Sequence, residues 1–222
     1  AWLEAEPPDS LAAGGSLNPD SWVDINISLA PAASTMPPGV HRDTIAFHND
    51  TYGSTVFREV ALWVKDVIYV DTAATGDATG ASWADAYTSI QTGIDAAAAQ
   101  KSAELPWVWV AEGVYVERIT MAGGVEVYGG FRAGDTSMAD RDPDTRPTVI
   151  DGDNAGTVVS FAAITGAGLD GFTVRNGFSD MHGGGIACRG TEASNLTSQC
   201  VVRENREQKR GGRSYLGPAG PL

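Results

Sequence analysis

Short apolar runs separated by glycines fill the second half of the chain and repeat at a fixed distance. The segment 171–177 (GFTVRNG) returns at 199–205 (QCVVREN), 28 positions later. A period of tens of residues is typical of a solenoid, in which each coil buries its apolar face only against its neighbours. The sequence therefore predicts stacked coils of short strands, with Phe172 aligned with Cys200 inside the core.

The segment 1–66 has a different pattern, in which short stretches of alternating apolar and polar residues are separated by turns. The candidate strands lie at 23–29, 44–48 and 60–64, and the candidate turns lie at 37–39 and 49–53. Alternation with a period of two indicates half-buried strands. Several short strands at this spacing favour a β-sandwich.

One helix is predicted near the start of the second half. Ser82 can cap it, and Trp83, Tyr87, Ile90 and Ile94 follow at steps of four, three and four, which places them on one face. A run of alanines extends the pattern and predicts a helix over about 82–99.

Two tryptophans lie on the strand that follows this helix. Trp107 and Trp109 alternate with Val108, so both side chains point to the same face. On an exterior face they can stack on sugar rings, whereas on an interior face they form core beneath the helix. The apolar neighbours of Trp109 favour the interior.

Composition and charge narrow the classes of function. The 222 residues include 27 glycines, only 19% are charged, and the net charge is −13. Few charges and many glycines suit an all-β protein, and the negative charge argues against binding a nucleic-acid backbone. No apolar run reaches the length of a membrane span. The two cysteines, Cys188 and Cys200, allow one disulfide or two core thiols.

Acidic residues at strand ends are the candidate catalytic groups. Asp151, Asp153, Asp170 and Asp180 lie in adjacent coils, and alternation places Asp151 and Asp153 on one strand face. A glycoside hydrolase needs two carboxylates, one acting as acid and the other as base or nucleophile. Turn residues of this kind are also common at strand ends, and that interpretation is favoured.

A second acidic segment is a candidate Ca²⁺ site. Asp140, Asp142 and Asp144 stand at alternate positions, and Asp151 is twelfth when counted from Asp140, as in a helix–loop–helix calcium loop. The match fails at the sixth position, where Thr145 replaces glycine. If no Ca²⁺ binds, the segment is an acidic loop between coils. The sequence suggests no cofactor other than Ca²⁺.

The segment 1–66 resembles the Ig-like modules of the BACON type, which recur in bacterial secreted proteins. The matching residues are Trp2-Leu3, Pro8, 11–15, Pro38-Gly39 and 43–49. The resemblance implies a partial Ig-like β-sandwich at 1–66, because strands that usually precede the equivalent of Trp2 are missing.

The following residues resemble the right-handed parallel β-helix, or pectin-lyase-like, family of bacterial secreted proteins. The matching segments are 68–71 (IYVD), 82–87 (SWADAY), 110–115 (VAEGVY), 127–131 (VYGGF), 141–143 (RDP), 150–153 (IDGD), 170–174 (DGFTV) and 183–186 (GGGI). The resemblance implies a β-helix over 67–212, with the helix capping its N-terminal end. The pattern fails at 213–222, which predicts an irregular tail.

The function expected from these features is a non-catalytic extracellular or cell-surface protein of bacterial type. Its role would be glycan binding or adhesion, with the β-helix as a rigid stalk and a polysaccharide or cell-surface glycan as the partner. The alternative is a polysaccharide lyase or glycoside hydrolase of the pectin-lyase-like fold that lacks its later coils.

Overall fold

The computed structural model describes residues 3–6, 26–49, 52–100, 105–180, 183–190 and 196–207. The protein is mostly β-structure, and these residues hold a single α-helix. The chain divides into two compact units, Ala1–Lys65 and Asp66–Leu222. The matching residues at 2, 8 and 11–15 and the predicted tail at 213–222 lie outside the described residues.

The described residues of the first unit form two antiparallel strand pairs. Strand β1 (Leu3–Glu6) pairs with β2 (Asn26–Leu29), and β3 (Gly39–Asn49) pairs with β4 (Ser54–Val64). The candidate strands at 44–48 and 60–64 are thus parts of one long hairpin, whose last paired residues, Asn49 and Ser54, enclose the predicted turn. A short 3₁₀ helix, Pro31–Thr35, separates the pairs.

The second unit is built from parallel strands in three sheets and one extra pair. The strands are β5 (Val67–Val70), β6 (Trp107–Ala111), β7 (Gly113–Val116), β8 (Ile119–Thr120), β9 (Glu126–Phe131), β10 (Thr148–Asp151), β11 (Val159–Ala162), β12 (Gly168–Asp170), β13 (Phe172–Arg175), β14 (Phe178–Ser179), β15 (Ile186–Arg189), β16 (Leu196–Ser198), β17 (Val201–Val202) and β18 (Arg206–Glu207). The five-stranded sheet has the order β16-β12-β9-β6-β5, the four-stranded sheet β17-β13-β10-β7, and the three-stranded sheet β15-β11-β8. Strands β14 and β18 form the extra pair, and a 3₁₀ turn spans Met138–Asp140.

The chain visits the three sheets in the same cyclic order. From β7 it passes to β8 and β9, then to β10, β11 and β12, so each strand pairs with its counterpart in the next turn of chain. Thr173 lies opposite Val201, so the two partners are separated by one period of the sequence repeat. Phe172 and Cys200 immediately precede this pair, and both pack on the core, as the sequence predicted.

A continuous apolar core lies between the three sheets. Alternate residues of each strand face it, as the burial of Val127 in β9 and of Phe172 and Val174 in β13 illustrates. Strand alternation therefore separates an inward row of apolar side chains from an outward row on every sheet. Both cysteines are free thiols in this arrangement, with Cys188 exposed and Cys200 half-buried.

The α-helix is shorter than the sequence predicted. Helix α1 spans Ile90–Ala98, and Ser89 caps it by accepting the backbone N–H of Thr92. The predicted start at Ser82 is wrong because the backbone of Tyr87 pairs with β5. Its N–H donates to the Tyr69 carbonyl at 3.0 Å, and its carbonyl accepts the N–H of Asp71 at 2.8 Å.

Helix α1 nonetheless covers the core at the first strands of the unit. Ile90, Ile94 and Ala97 are fully buried. Gly93 lies directly against β5 and β6, where a Cβ would come within 2.6 Å of Val70 Cγ2. The absence of a side chain at Gly93 therefore sets how closely the helix packs on the sheet.

Substituting Gly93 by alanine tests this packing. Alanine favours a helix by about 1 kcal/mol, but its Cβ would overpack against Val70, and such overpacking costs about 1–3 kcal/mol. The Val70 side chain cannot readily rotate away from the new Cβ, since the χ1 angle of a valine is restricted. We expect Gly93→Ala to lower the free energy of unfolding, measured by urea denaturation of the full chain. Thr92→Ala, on the exposed side of α1, is the control and should leave it unchanged or higher.

Candidate functional site

Asp151, the first predicted catalytic residue, is held by hydrogen bonds at the end of β10. It is 9% exposed. Its carboxylate accepts Arg175 Nε at 2.8 Å, Asn176 Nδ2 at 2.9 Å and the Asp153 backbone N–H at 3.1 Å. Burial raises the pKa of Asp151, but the hydrogen bonds from Asn176, Asp153 and Arg175 outweigh burial and leave that pKa below its usual value. The group is therefore ionised at neutral pH, which suits a structural anchor better than a general acid.

The other three predicted carboxylates lie in different surroundings. Asp153 follows the end of β10 in a left-handed conformation, with φ of 48°, so strand alternation does not carry it to the face of Asp151. The two residues do line one small cleft, of about 280 Å³. Asp170 lies on β12 and forms an ion pair with Arg141, and Asp180 is an exposed residue beyond β14.

The four aspartates of the predicted Ca²⁺ loop do not converge. Asp140 closes the 3₁₀ turn by accepting the backbone N–H groups of Thr136 and Ser137. Asp142 accepts the N–H and hydroxyl of Thr145, and Asp144 is exposed. Across the described residues, no group of three or more acidic, histidine or cysteine side chains is placed to hold a metal ion.

A different set of polar and aromatic side chains meets on the outer face of the five-stranded sheet. The buried row Val108, Val127 and Leu169 faces the core, so the residues between them face outward. One outward row is Trp107, Glu126 and Gly168, and the next is Trp109, Tyr128, Asp170 and Ser198. A cleft of about 330 Å³ opens here, and its lining includes Glu126, Tyr128, Gly168, Asp170 and Ser198.

Trp109, at the other side of this face, is covered by aromatic rings. It stacks on Phe131 with ring centroids 4.4 Å apart and meets Tyr69 edge-on at 6.0 Å. Trp83 packs against both Tyr69 and Phe131. Trp109 is thus buried, at 4% exposure, but on the sheet face opposite the core. The favoured interpretation, core beneath the helix, is wrong, because α1 packs on the inward row instead.

Trp107 remains at the border of the cleft and is fixed by its neighbours. Its Nε1 donates to Glu126 Oε2 at 2.8 Å, and its ring meets that of Tyr128 edge-on at 5.7 Å. The guanidinium of Arg141 lies 5.5 Å from the Tyr128 ring centroid while it pairs with Asp170. We call Trp107, Glu126, Tyr128, Arg141 and Asp170 the aromatic–acidic cleft.

Electrostatics at this cleft act most strongly on Tyr128. Burial, followed by the negative charges of Glu126 and Asp170, raises the pKa of Tyr128 to about 12, against a smaller opposite effect of Arg141. The phenol is therefore neutral at physiological pH, and its hydroxyl hydrogen-bonds to the Glu126 carboxylate. The cleft joins two carboxylates, a phenol hydroxyl and a flat apolar surface, a combination suited to polyhydroxylated ligands.

Sequence reasoning identified Trp107 and Asp170 but missed three members of the cleft. Glu126 and Tyr128 alternate with Val125 and Val127, which was a signal for an outward row. Their position beside Trp107 depends on strand register, which alternation alone does not give. Arg141 reaches Asp170 from a loop, and no periodic signal marks such a contact.

The helices of the described residues are all too short or too polar to cross a membrane. Comparisons with protein-family models, curated proteins and solved structures find no match to this chain. The function has therefore to be inferred from the geometry of the cleft.

The anchoring role of Asp151 can be tested by substitution and acidification. Asp151→Asn should lower the free energy of unfolding at neutral pH, because it weakens hydrogen bonds to a charged group, each typically worth about 1.5–3 kcal/mol. Since the folded pKa is depressed, the stabilisation is present above the unfolded pKa of about 3.9 and is lost as pH falls through the folded pKa.

Urea unfolding at several pH values measures this effect. The difference in free energy of unfolding between wild type and Asp151→Asn should become smaller on acidification. A double-mutant cycle of Asp151→Asn with Arg175→Gln should give a coupling energy of about 0.5–3 kcal/mol. Asp144→Asn removes one exposed charge and serves as the control at neutral pH. A gap that stays constant down to acid pH contradicts the assignment.

The ionisation of Tyr128 gives a spectroscopic test of the cleft. The phenolate absorption of wild type minus that of Tyr128→Phe should report one tyrosine that titrates near pH 12, compared with about 10 for an unperturbed tyrosine. In the Glu126→Gln background the same difference should shift to lower pH, because one negative neighbour is gone. A midpoint equal to that of an unperturbed tyrosine in both backgrounds would contradict the geometry.

Proposed function

We propose that the chain is a non-catalytic glycan-binding protein of the bacterial extracellular or cell-surface type. In this proposal the second unit is a right-handed parallel β-helix of the pectin-lyase-like kind, and the first is a partial Ig-like module. The cyclic order of the three parallel sheets supports the β-helix. Its stiff stack of strands would hold the cleft at a fixed place on a stalk.

The aromatic–acidic cleft is the observation that carries the proposal. Pyranose rings have an apolar C–H face, which packs on aromatic side chains, and a rim of hydroxyls, which bind carboxylates and phenols. Trp107 and Tyr128 supply the rings, and Glu126 and Asp170 supply the acceptors. The hydrogen bond of Trp107 and the ion pair of Arg141 hold these groups before any ligand arrives, which reduces the entropy lost on binding.

Binding fits the carboxylates better than hydrolysis does. A hydrolase needs one carboxyl group with a raised pKa to protonate the leaving oxygen. Asp170 pairs with Arg141, and Asp151 pairs with Arg175. The pKa of Asp151 is lowered by its hydrogen bonds from Asn176, Asp153 and Arg175, which works against a general acid at that position.

The test measures binding of the full chain to a panel of oligosaccharides by titration calorimetry. Tyr128→Ala and Trp107→Ala should each weaken binding about tenfold or more, a loss equivalent to about 1.4 kcal/mol. Tyr52→Ala, which removes an exposed aromatic ring in the first unit, is the matched control and should leave affinity unchanged.

Two results would contradict the proposal. One is the absence of binding across the panel. The other is release of reducing ends or unsaturated sugars from any member, which would favour the alternative of a lyase or hydrolase.

A further inference from the structure

We infer that the aromatic–acidic cleft selects glycans that carry free amino groups, of the glucosamine type, over polyuronates. The inference rests on the proposed function, because it assigns a ligand class to the same cleft. Three observations carry it: the balance of charge in the cleft, the opening beside Glu126 and the Tyr128 ring that lines this opening.

The charges of the cleft leave one carboxylate without a cation. Arg141 is committed to Asp170, and the two side chains are only 11% and 20% exposed. Glu126 accepts a hydrogen bond from Trp107, and none of the ion pairs in the described part of the chain includes it. The indole N–H of Trp107 and the hydroxyl of Tyr128 are neutral donors to Glu126 and do not compensate its charge, so the cleft has a net charge of −1 centred on Glu126.

Gly168 leaves the side of Glu126 open. A Cβ at Gly168 would lie 3.6 Å from Glu126 Cγ, an ordinary packing distance that the glycine leaves unfilled. Ser198, two positions further on in the next strand, is small and completes the lining with Asp170. The opening over Gly168 therefore gives a ligand group a route along the sheet surface to Glu126.

An ammonium group placed in this opening is stabilised both by the carboxylate and by an aromatic ring. It forms a charge-assisted hydrogen bond with Glu126, which is roughly twice as strong as a neutral one. It also lies beside the Tyr128 ring, and the face of an aromatic ring attracts cations. Arg141 beside Tyr128 already uses this attraction within the protein.

A uronate in the same place meets unfavourable interactions. Its carboxylate approaches Glu126 and Asp170, and Arg141, the one cation among the five residues of the cleft, is already paired with Asp170. A third carboxylate therefore leaves the cleft with an excess of negative charge, and like charges repel. The net charge of −13 adds a long-range repulsion.

Oligosaccharides of equal length that differ in charge test the inference. We would titrate the full chain with glucosamine tetrasaccharide, its N-acetylated form and galacturonate tetrasaccharide, at a mildly acidic pH that keeps amines protonated and carboxylates ionised. We expect the amino form to bind at least about tenfold more tightly than the acetylated form, and galacturonate to bind most weakly. Added salt should weaken the amino form selectively.

Glu126→Gln isolates the charge, since glutamine can still accept the hydrogen bond from Trp107. It should reduce the preference for the amino form to within about threefold, a change of about 0.7 kcal/mol or more from the wild-type discrimination. Glu112→Gln is the matched control, because it removes one charge from an exposed ion pair with Arg132 outside the cleft. Gly168→Val should weaken every ligand by filling the opening.

The outcomes separate this inference from the proposed function. Equal or tighter binding of the acetylated or uronate form, lost in Tyr128→Ala, overturns the amine preference and leaves glycan binding in place. Amine binding that survives Tyr128→Ala, or that Glu112→Gln reduces as much as Glu126→Gln, is general attraction to an acidic protein and also overturns the inference. No binding of any ligand rejects both.

Discussion

Parallel pairing between strands of successive turns of chain is the constraint on which the second unit depends. It places Val108, Val127 and Leu169 in one row and Trp107, Glu126 and Gly168 in the row beside it. The first row fills the core, and the second forms one side of the cleft. A shift of one residue in any strand would exchange the two rows, so core packing and cleft geometry are fixed by the same register.

The first turn of this structure has to be closed, since none of the strands that the structure describes lies beyond β5 in its sheet. Helix α1 covers its inward face, and Tyr87 pairs briefly with Val70 along its edge. Glu117 ties the helix to the next turn, because its carboxylate accepts the N–H of Ile90 at 2.7 Å and the hydroxyl of Ser89 at 2.8 Å. An anion at a helix N-terminus is favourable, so this contact stabilises both partners.

Much of the architecture could be predicted from the sequence, because it depends on periodicity. The interval between the paired residues Thr173 and Val201 equals the period of the sequence repeat. The alternation of side chains along β9 and β13 predicted which of them point into the core. The start of α1 was predicted wrongly, because the helical spacing of apolar residues from Trp83 to Ile94 is also compatible with an extended backbone at Tyr87. The backbone hydrogen bond from Tyr87 to Tyr69 shows that the backbone is extended there.

The candidate site was less accessible to sequence reasoning for a physical reason. Aspartates at strand ends are candidate catalytic residues, but Asp151 accepts hydrogen bonds from Arg175 and Asn176 of the next turn and so links neighbouring turns. The cleft joins residues from β6, β9 and β12 with Arg141 from a loop, and so depends on contacts between distant parts of the chain. Such contacts follow from register and loop conformation, neither of which has a local sequence signal.

The unequal lengths of successive turns have an evolutionary consequence. The stretch of chain from Gly113 to Thr148 is clearly longer than the stretch from Thr148 to Phe172, yet both end in the same strand pairing. A change in the length of the segment between two strands is therefore compatible with the same pairing of those strands. The loop that carries Arg141 can therefore change in length or sequence while the strands beneath it keep their pairing.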